Sequence, residues 1–337
     1  MELRWINNLK REHTFGIMET CTKGVRRMTE PVTFEAFREK FGSVQACVEA
    51  LFQARWPDGY RCPICRHSRY YLTRTRRLPL FECKACRHQT SIIAGTVIEG
   101  SSTSLTKWFQ AMFLLAQPGG ISSLRLSEIL EVTYKTAWLL SHKIRVAMQS
   151  AEQSELLADA VRMESFGYGT SNFLNAHQPL MLGGSFNDAG DLQGIKMQQP
   201  DPDHVRMPER TINKEGYQAF RSNQVRSESV DSFPFYAKAH PKLSPYRRQL
   251  KLWLNDTFGG IGAKHLQAYL NEFCFRANAM LGKSGAAIFQ SLLSWCATTS
   301  VCTYSILTSP RRTLPVAWRV FGSKSKWLKW HRRAWSY

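Results

Sequence analysis

The stretch YRCPICRHSRYYLTRTRRLPLFECKACRHQT, residues 60–90, holds two CxxC pairs, Cys62/Cys65 and Cys83/Cys86, seventeen residues apart. Each pair predicts a tight knuckle that turns two thiolates to one side. A hairpin that brings two such knuckles together closes a tetrahedron around zinc. The intervening RYYLTRTRRLPLFE reads as the two strands of that hairpin. Four thiolates leave zinc no open position, so the spacing predicts a structural zinc ribbon and not a catalytic metal. The alternative is a pair of redox CxxC motifs, a role that a doubled CxxC at this spacing rarely has. His67 and His88 lie just outside the pairs and read as surface residues rather than ligands. The other cysteines, Cys21, Cys47, Cys274, Cys296 and Cys302, are scattered through apolar sequence, and the total of nine is odd. That pattern argues against a secreted disulfide framework and for a reducing interior.

The hairpin is also rich in arginine: Arg61, Arg66, Arg69, Arg74, Arg76, Arg77 and Arg87. The whole chain carries a formal charge of +19 over 337 residues. A surplus of that size points to a polyanion, with nucleic acid the leading class of partner. An anionic membrane is the rival, but its binders concentrate charge beside an apolar segment, and no apolar run here is long enough to span a bilayer. The opening residues MELRWINNLKREHTFG lack the apolar core and cleavage site of a signal peptide. Together these features predict a cytoplasmic protein. For the ribbon arginines, with Arg74, Arg76 and Arg77 as candidates, phosphate contact stands beside the plainer reading of a solvated basic face.

Length predicts two or three domains, and a hydrophobic share of 43% is enough for packed cores. Residues 1–30 read as a poorly structured leader. TFEAFREKFGSVQACVEALFQARW has helical spacing, as two short helices around Gly42. HQTSIIAGTVIE, after the second CxxC, is a run of β-formers. LTKWFQAMFLLAQ is apolar on most faces and predicts a buried helix, broken by Gly119–Gly120. Next come a helix over 122–130, a turn at Glu131–Thr133 and a helix over about 134–150. The second helix carries Tyr134, Lys135, Thr136, His142, Lys143 and Arg145, which fits a DNA-reading helix-turn-helix. A plain helical hairpin that packs the ribbon onto the next domain fits the pattern equally. After Ser154, LADAVRMESFGYG, PLMLGGSFND and LQGIKMQQ predict a three-stranded meander. The helical sequence on both sides of GGIG, at 259–262, then makes the rest α/β or α+β. The end of the chain, 311–337, interleaves basic residues with Trp318, Trp327, Trp330 and Trp335. It suits either phosphate contact with stacking, or a helix packed on the core.

Several of these motifs occur together in a known family. RWPDG before the first CxxC, AGT after the second, the WF helix and the YKTAW…HKIRVAM run resemble bacterial insertion-sequence transposases. Those proteins join an N-terminal zinc ribbon to a ribonuclease H-like core. TFGGIGAKHLQAYLNEFCFRAN resembles the helical end of that core. The similarity is strong over about 34–150 and 249–280 and weak between them. It implies an α+β multidomain protein: leader 1–30, helices and ribbon 31–97, a helical DNA-binding region 98–153, the core 154–300 and a basic tail 301–337. It also implies double-stranded element-end and target DNA as partners, a homo-oligomer in the DNA complex, and a nucleoid-associated location.

Transposases of this kind cut and join DNA with two divalent ions, Mg²⁺ or Mn²⁺, which need hard oxygen ligands. The resemblance places these ligands on a first strand, near a fourth strand and on a later helix. Here VRMESFGYG puts Glu164 where the family has aspartate, INKEGYQAF puts Glu215 at the second position, and QLK puts Gln249 and Lys251 at the third. Asp188, Asp191, Asp203, Asp231 and Asp256 remain as unplaced acids. Each matched ligand is one methylene longer than expected, which shifts it by about 1.5 Å, and misplacement of about 1 Å costs about a hundredfold in rate. The sequence therefore supports a transposase with non-standard acids or a catalytically silent, DNA-binding derivative. Glu164 and Glu215 also have the bland reading of surface glutamates, and Lys251 and Lys264 that of helix-surface lysines or DNA contacts. A zinc-ribbon RNA-binding or transcription-associated factor would leave the long match beyond the ribbon unexplained.

Overall fold

Helical periodicity in the first fifty residues produces two short helices in a computed structural model of the chain. It describes residues 32–314 except 75, 170–176, 208, 235–236 and 283–284. The leader and the tryptophan-rich tail therefore lie outside the described residues. Helices α1 (Phe34–Lys40) and α2 (Val44–Arg55) start on side-chain caps from Thr33 and Ser43, which satisfy amides that the first turn leaves without partners. Strands β1 (Tyr70–Thr73), β2 (Leu80–Cys83) and β3 (Gln89–Ser91) form a small antiparallel sheet.

The β-forming run after the second CxxC is a strand only as far as Ser91; turns then carry the chain to Gly100. Gly95 and Gly100 adopt positive φ there, and Ile92, Val97 and Ile98 are buried under the helices. Burial, not strand pairing, is what those apolar residues serve.

Helix α3 (Leu105–Ala116) buries eight of its twelve residues, in keeping with its apolar circumference. The chain leaves it through Gly119–Gly120. Gly120 has φ +61, and a Cβ there would lie 2.3 Å from Arg276 Nη1, so the close approach of Arg276 requires glycine. Helix α4 (Ser123–Leu130) ends on Glu131 in the left-handed conformation, and α5 (Tyr134–Ser154) begins three residues later on its Thr133 cap.

The expected meander is present as β4 (Ala160–Tyr168), β5 (Gln178–Phe186) and β6 (Leu192–Gln198), all antiparallel. A small hairpin, β7 (Val205–Arg206) and β8 (Thr211–Ile212), leads into α6 (Lys214–Gln224). Strand β9 (Val230–Phe233) then adds parallel to β4, giving the order β6-β5-β4-β9. Helices α7 (Ser244–Phe258), α8 (Ala263–Gly282), α9 (Gly285–Thr298) and α10 (Tyr304–Thr308) complete the described chain.

Successive strand residues point to opposite faces of a sheet, and the two faces are covered differently. Phe166, Leu180, Leu182 and Ile195 pack with Leu250, Leu266 and Leu270 of α7 and α8. On the other face Val161, Met163 and Met181 pack with Phe220 of α6. A third core joins α1–α5 and the ribbon to α9, through Phe37, Leu51, Phe81, Phe109 and Leu140 against Phe289 and Leu292. The architecture is thus mixed α+β with an N-terminal ribbon. Among the described residues no helix is long and apolar enough to cross a membrane.

Candidate metal centre and nucleic-acid interface

The two knuckles have the same local geometry. Cys62 N–H donates to His67 O (3.0 Å) and Arg66 N–H to Cys62 O (2.9 Å); Cys83 N–H donates to His88 O (2.9 Å) and Arg87 N–H to Cys83 O (3.0 Å). Arg66 and Arg87 each take φ +60 to close the turn. Each histidine thus contributes its backbone carbonyl to a knuckle, and neither ring joins the sulfur cluster. The four ligand atoms lie within 4.8 Å of one another, with Cys62–Cys86, Cys65–Cys83 and Cys65–Cys86 sulfur separations of 3.6, 3.5 and 3.4 Å. No disulfide joins them. Zn–S bonds of about 2.3 Å place tetrahedral ligands about 3.8 Å apart, so the cluster fits zinc with little movement. Burial opposes ionisation of Cys62, yet the Cys65 and Ile64 amides and the adjoining thiols outweigh it and lower its pKa to about 6, while the same neighbouring thiols push Cys86 up to about 12. A thiolate is the form zinc binds. The ribbon is seated by aromatic packing of Phe81 against Phe52, Trp56, Tyr60 and Tyr70, at centroid distances of 5.2–5.9 Å.

Arg61, Arg66, Arg69, Arg74, Arg76, Arg77 and Arg87 are all exposed. Arg87 pairs with Glu82, and Arg77 donates to the Ser101 and Ser102 carbonyls. At the start of α5, Tyr134 and Lys135 are exposed and Thr136 is half-buried. Thr136 lines an open cleft of about 690 Å³ together with Ser102, Thr103, Ser104, Lys107, Glu131, Val132 and Thr133.

Further along α5 the expectation of a DNA-facing surface is corrected. His142, Lys143 and Arg145 are 2%, 5% and 1% exposed. His142 stacks on Trp138 (4.1 Å), Lys143 donates to Glu99 O (2.9 Å) and Arg145 Nε bonds Glu272 Oε2 at 2.6 Å. The helix is twenty-one residues long, and among its residues only Tyr134 and Lys135 at its start and Gln153 and Ser154 at its end are exposed. Lys264 is likewise engaged, with its ammonium on Thr308 O at 2.9 Å.

The residues matched to the metal ligands are not brought together. Glu164 projects from β4 toward α7 with 4% of its side chain exposed. Its Oε1 accepts from Arg162 Nε (2.8 Å) and the His240 amide (2.7 Å), and its Oε2 faces Arg247 Nη1 at 3.5 Å. Glu215 is exposed on the first turn of α6. That helix covers the opposite face, where the Tyr217 hydroxyl bonds Ser165, the neighbour of Glu164 in sequence (2.8 Å). Arg247, two residues before the matched Gln249, is the α7 residue that reaches Glu164; Gln249 is half-buried and Lys251 lies 5.9 Å from the Phe166 ring.

Of the unplaced acids, Asp191 pairs with Lys242 and Asp203 with Arg312. Asp188 and Asp256 are exposed. Asp231 is exposed and lies beside Arg162 in the β4–β9 register. A carboxylate held by two guanidinium groups and an amide is a poor start for a divalent-metal centre, which needs several oxygen ligands converging on one point. Among the described residues, the matched and unplaced acids do not converge in a way that fits a Mg²⁺ or Mn²⁺ pair. The sequence alone did not reveal the Arg162–Glu164–Arg247 cluster. Its one visible signal was the Arg-x-Glu pair on one strand face.

Four converging cysteine sulfurs on an arginine-studded, three-stranded sheet define a zinc ribbon. Residues 42–89 match the family of transposase zinc-ribbon domains. A protein of the transposable element ISH50 of Halobacterium salinarum, itself described as uncharacterized, is 31% identical over 99 residues. That match covers 29% of this chain and 33% of that protein, so the chain spans about a third of the length of this curated relative. No solved structure matches the chain.

Proposed function

We propose that the protein binds double-stranded DNA as a transposase-type protein of an insertion sequence, and that its core does not perform metal-dependent strand transfer. The exposed arginines on a four-thiolate ribbon of the transposase type carry the DNA-binding reading. The α4–α5 pair supports it. A three-residue turn joins the helices, and Tyr134, Lys135 and Thr136 stand at the start of the second one, where a helix-turn-helix contacts base edges. The meander, the crossover helix α6 and the parallel β9 support a ribonuclease H-like core. The arginine clamp on Glu164 and the opposite placement of Glu215 favour the silent reading over the active one.

The test uses duplexes carrying the element's terminal inverted repeats, incubated with the zinc-loaded full chain and Mg²⁺ or Mn²⁺. Binding without nicking or joining is expected. Cleavage that disappears in Glu164→Ala overturns the silent core, and Asp231 is then the acid to examine beside it. Failure of the folded protein to bind any duplex overturns the reading as a whole.

A further inference from the structure

The end of the described chain lies along the flank of α5 and α8 as a thin strap. Buried Cys302 and Leu314 anchor its two ends. Between them no residue of α10 is buried, and Tyr304 and Ile306 are 62% and 57% exposed. Three contacts hold this span down. The Tyr304 ring meets Trp138 of α5 at 6.0 Å, Lys264 of α8 donates to Thr308 O at 2.9 Å, and Arg312 forks onto the Asp203 carboxylate, with Nη2 at 2.6 Å from Oδ1. Both partners of that last pair are exposed, so water and salt weaken it.

Beside the strap two histidines face each other across the α5–α8 seam. The rings of His142 and His265 lie 5.2 Å apart, and both pack on Trp138, at 4.1 Å and 5.8 Å. His142 is 2% exposed and its Nε2 is buried without a hydrogen-bond partner, while His265 is half-buried. The other charges that act on the two rings are all positive: Arg145 from α5, Lys264 from α8 and Arg311 from the strap. The acids nearby are engaged elsewhere, Glu272 by Arg145 and Arg276, and Glu99 by the Gly95 amide. Lys143, next to His142, is held on Glu99 O, Tyr269 packs its ring on His142, and burial keeps the Cys302 thiol protonated. Burial first, and then these cations, hold both histidines below the ordinary range.

We propose that residues 303–312 are a strap that opens on acidification, with His142 and His265 as its sensor. While both rings are neutral, the strap holds Arg311 close to them. A proton on either ring adds positive charge to a seam that already carries three cations and, among the described residues, no acid that pairs with a histidine. That charge is relieved when Arg311 and α10 lift away and water reaches the imidazoles. The buried anchors at Cys302 and Leu314 keep the opening local. Trp138 lies one turn beyond Tyr134 on the same side of α5, so opening alters the flank beside the residues assigned above to base contact. The device itself stands whether or not those residues touch DNA. The closed form excludes protons that the open form binds, so closure is at full strength above about pH 6.5 and is lost as pH falls below it. Each histidine multiplies the open-to-closed ratio by up to about tenfold per pH unit.

Hydrogen exchange of the zinc-loaded full chain, resolved by mass spectrometry, reads that ratio. Rates in peptides covering 303–312 are divided by those of the same peptides free in solution, which removes the intrinsic effect of pH. Below about pH 6.5 the strap is expected to exchange faster by up to about a hundredfold per pH unit with both histidines present, while β5 stays protected. His265→Gln, which keeps a neutral polar side chain at a half-buried position, is expected to reduce this to at most about tenfold per unit. His265→Lys, which fixes a positive charge there, is expected to open the strap at neutral pH. Arg312→Gln removes the Asp203 contact without touching the sensor, and is expected to raise strap exchange by the same factor at every pH. A strap whose exchange does not accelerate, accelerates equally in His265→Gln, or accelerates only when β5 does so too, overturns the proposal. So does an Arg312→Gln protein whose strap has lost its pH dependence.

Discussion

Replacing Glu272 with glutamine keeps the side-chain shape and removes the carboxylate that two buried guanidinium groups share. Arg145 Nε lies 2.6 Å from it and Arg276 Nη1 lies 3.7 Å away; the exposures of Arg145, Glu272 and Arg276 side chains are 0%, 0% and 4%. Arg145 comes from α5 and Glu272 from α8, so the pair ties α5 to the helical layer that covers the sheet. The surroundings offer only partial substitutes. Arg145 sits 4.1 Å over Tyr269, Arg276 sits 4.4 Å over Trp253, and Arg276 donates to Gln117 O at 3.1 Å. A cation–π contact is worth about 0.5–2 kcal/mol, while breaking a buried ion pair by removing one partner costs about 3–5 kcal/mol. The expected loss in Glu272→Gln is therefore about 3–5 kcal/mol of unfolding free energy, measured by urea denaturation at neutral pH. Arg145→Met combined with Glu272→Leu, which removes both charges of the pair, is expected to cost less than the single change. A loss below about 1 kcal/mol in Glu272→Gln would refute the argument that this carboxylate balances buried charge.

Two further outcomes follow from the same geometry. Chelation of the metal, or Cys83→Ser at a position with 0% exposure, is expected to unfold the ribbon, reduce bound zinc from one ion per chain and abolish duplex binding. Metal analysis and anisotropy check both, and duplex binding unchanged after complete zinc loss contradicts the structural role. The pKa of His142 is held well below the ordinary value by burial, and then by the charges of Arg145, His265 and Arg311. Its ring packs on Trp138, His265 and Tyr269. The unfolded chain then binds more protons as pH falls below about 6.5, so stability present above that pH declines on the acid side. His142→Phe is expected to flatten part of that decline by up to about 1.4 kcal/mol per pH unit, read from urea midpoints between about pH 7 and pH 5. An identical slope in the variant contradicts the assignment.

What could be read from the sequence was mostly local in origin. The cysteine spacing encodes two knuckles whose hydrogen bonds span only a few residues, so the ribbon and its ligands are legible in the chain itself. The turn at Glu131–Thr133 and the meander after Ser154 are legible for the same reason, since periodicity and turn residues are short-range signals. The orientation of α5 is not. His142, Lys143 and Arg145 look like basic surface positions, but their partners come from far along the chain: Tyr269 packs on His142, Glu99 O accepts from Lys143 and Glu272, 127 residues away, pairs with Arg145.

The candidate core site shows the same division. Sequence placed Glu164 on a strand after Ser154, and alternation along that strand set it on the same face as Arg162. Which other residues meet it depends on how β9 and α7 are laid against the strand. Arg247 arrives from 83 residues away and displaces the matched Gln249 from the role of nearest neighbour. Glu215 is carried by α6 to the far face of the sheet. By itself, then, the sequence determined the zinc ligands, the basic surface and the strand bearing Glu164. The tertiary structure decided which charges are buried, and whether that glutamate faces a metal or two arginines. Long-range pairing selects one among many possible neighbours, and no short stretch of chain carries that choice.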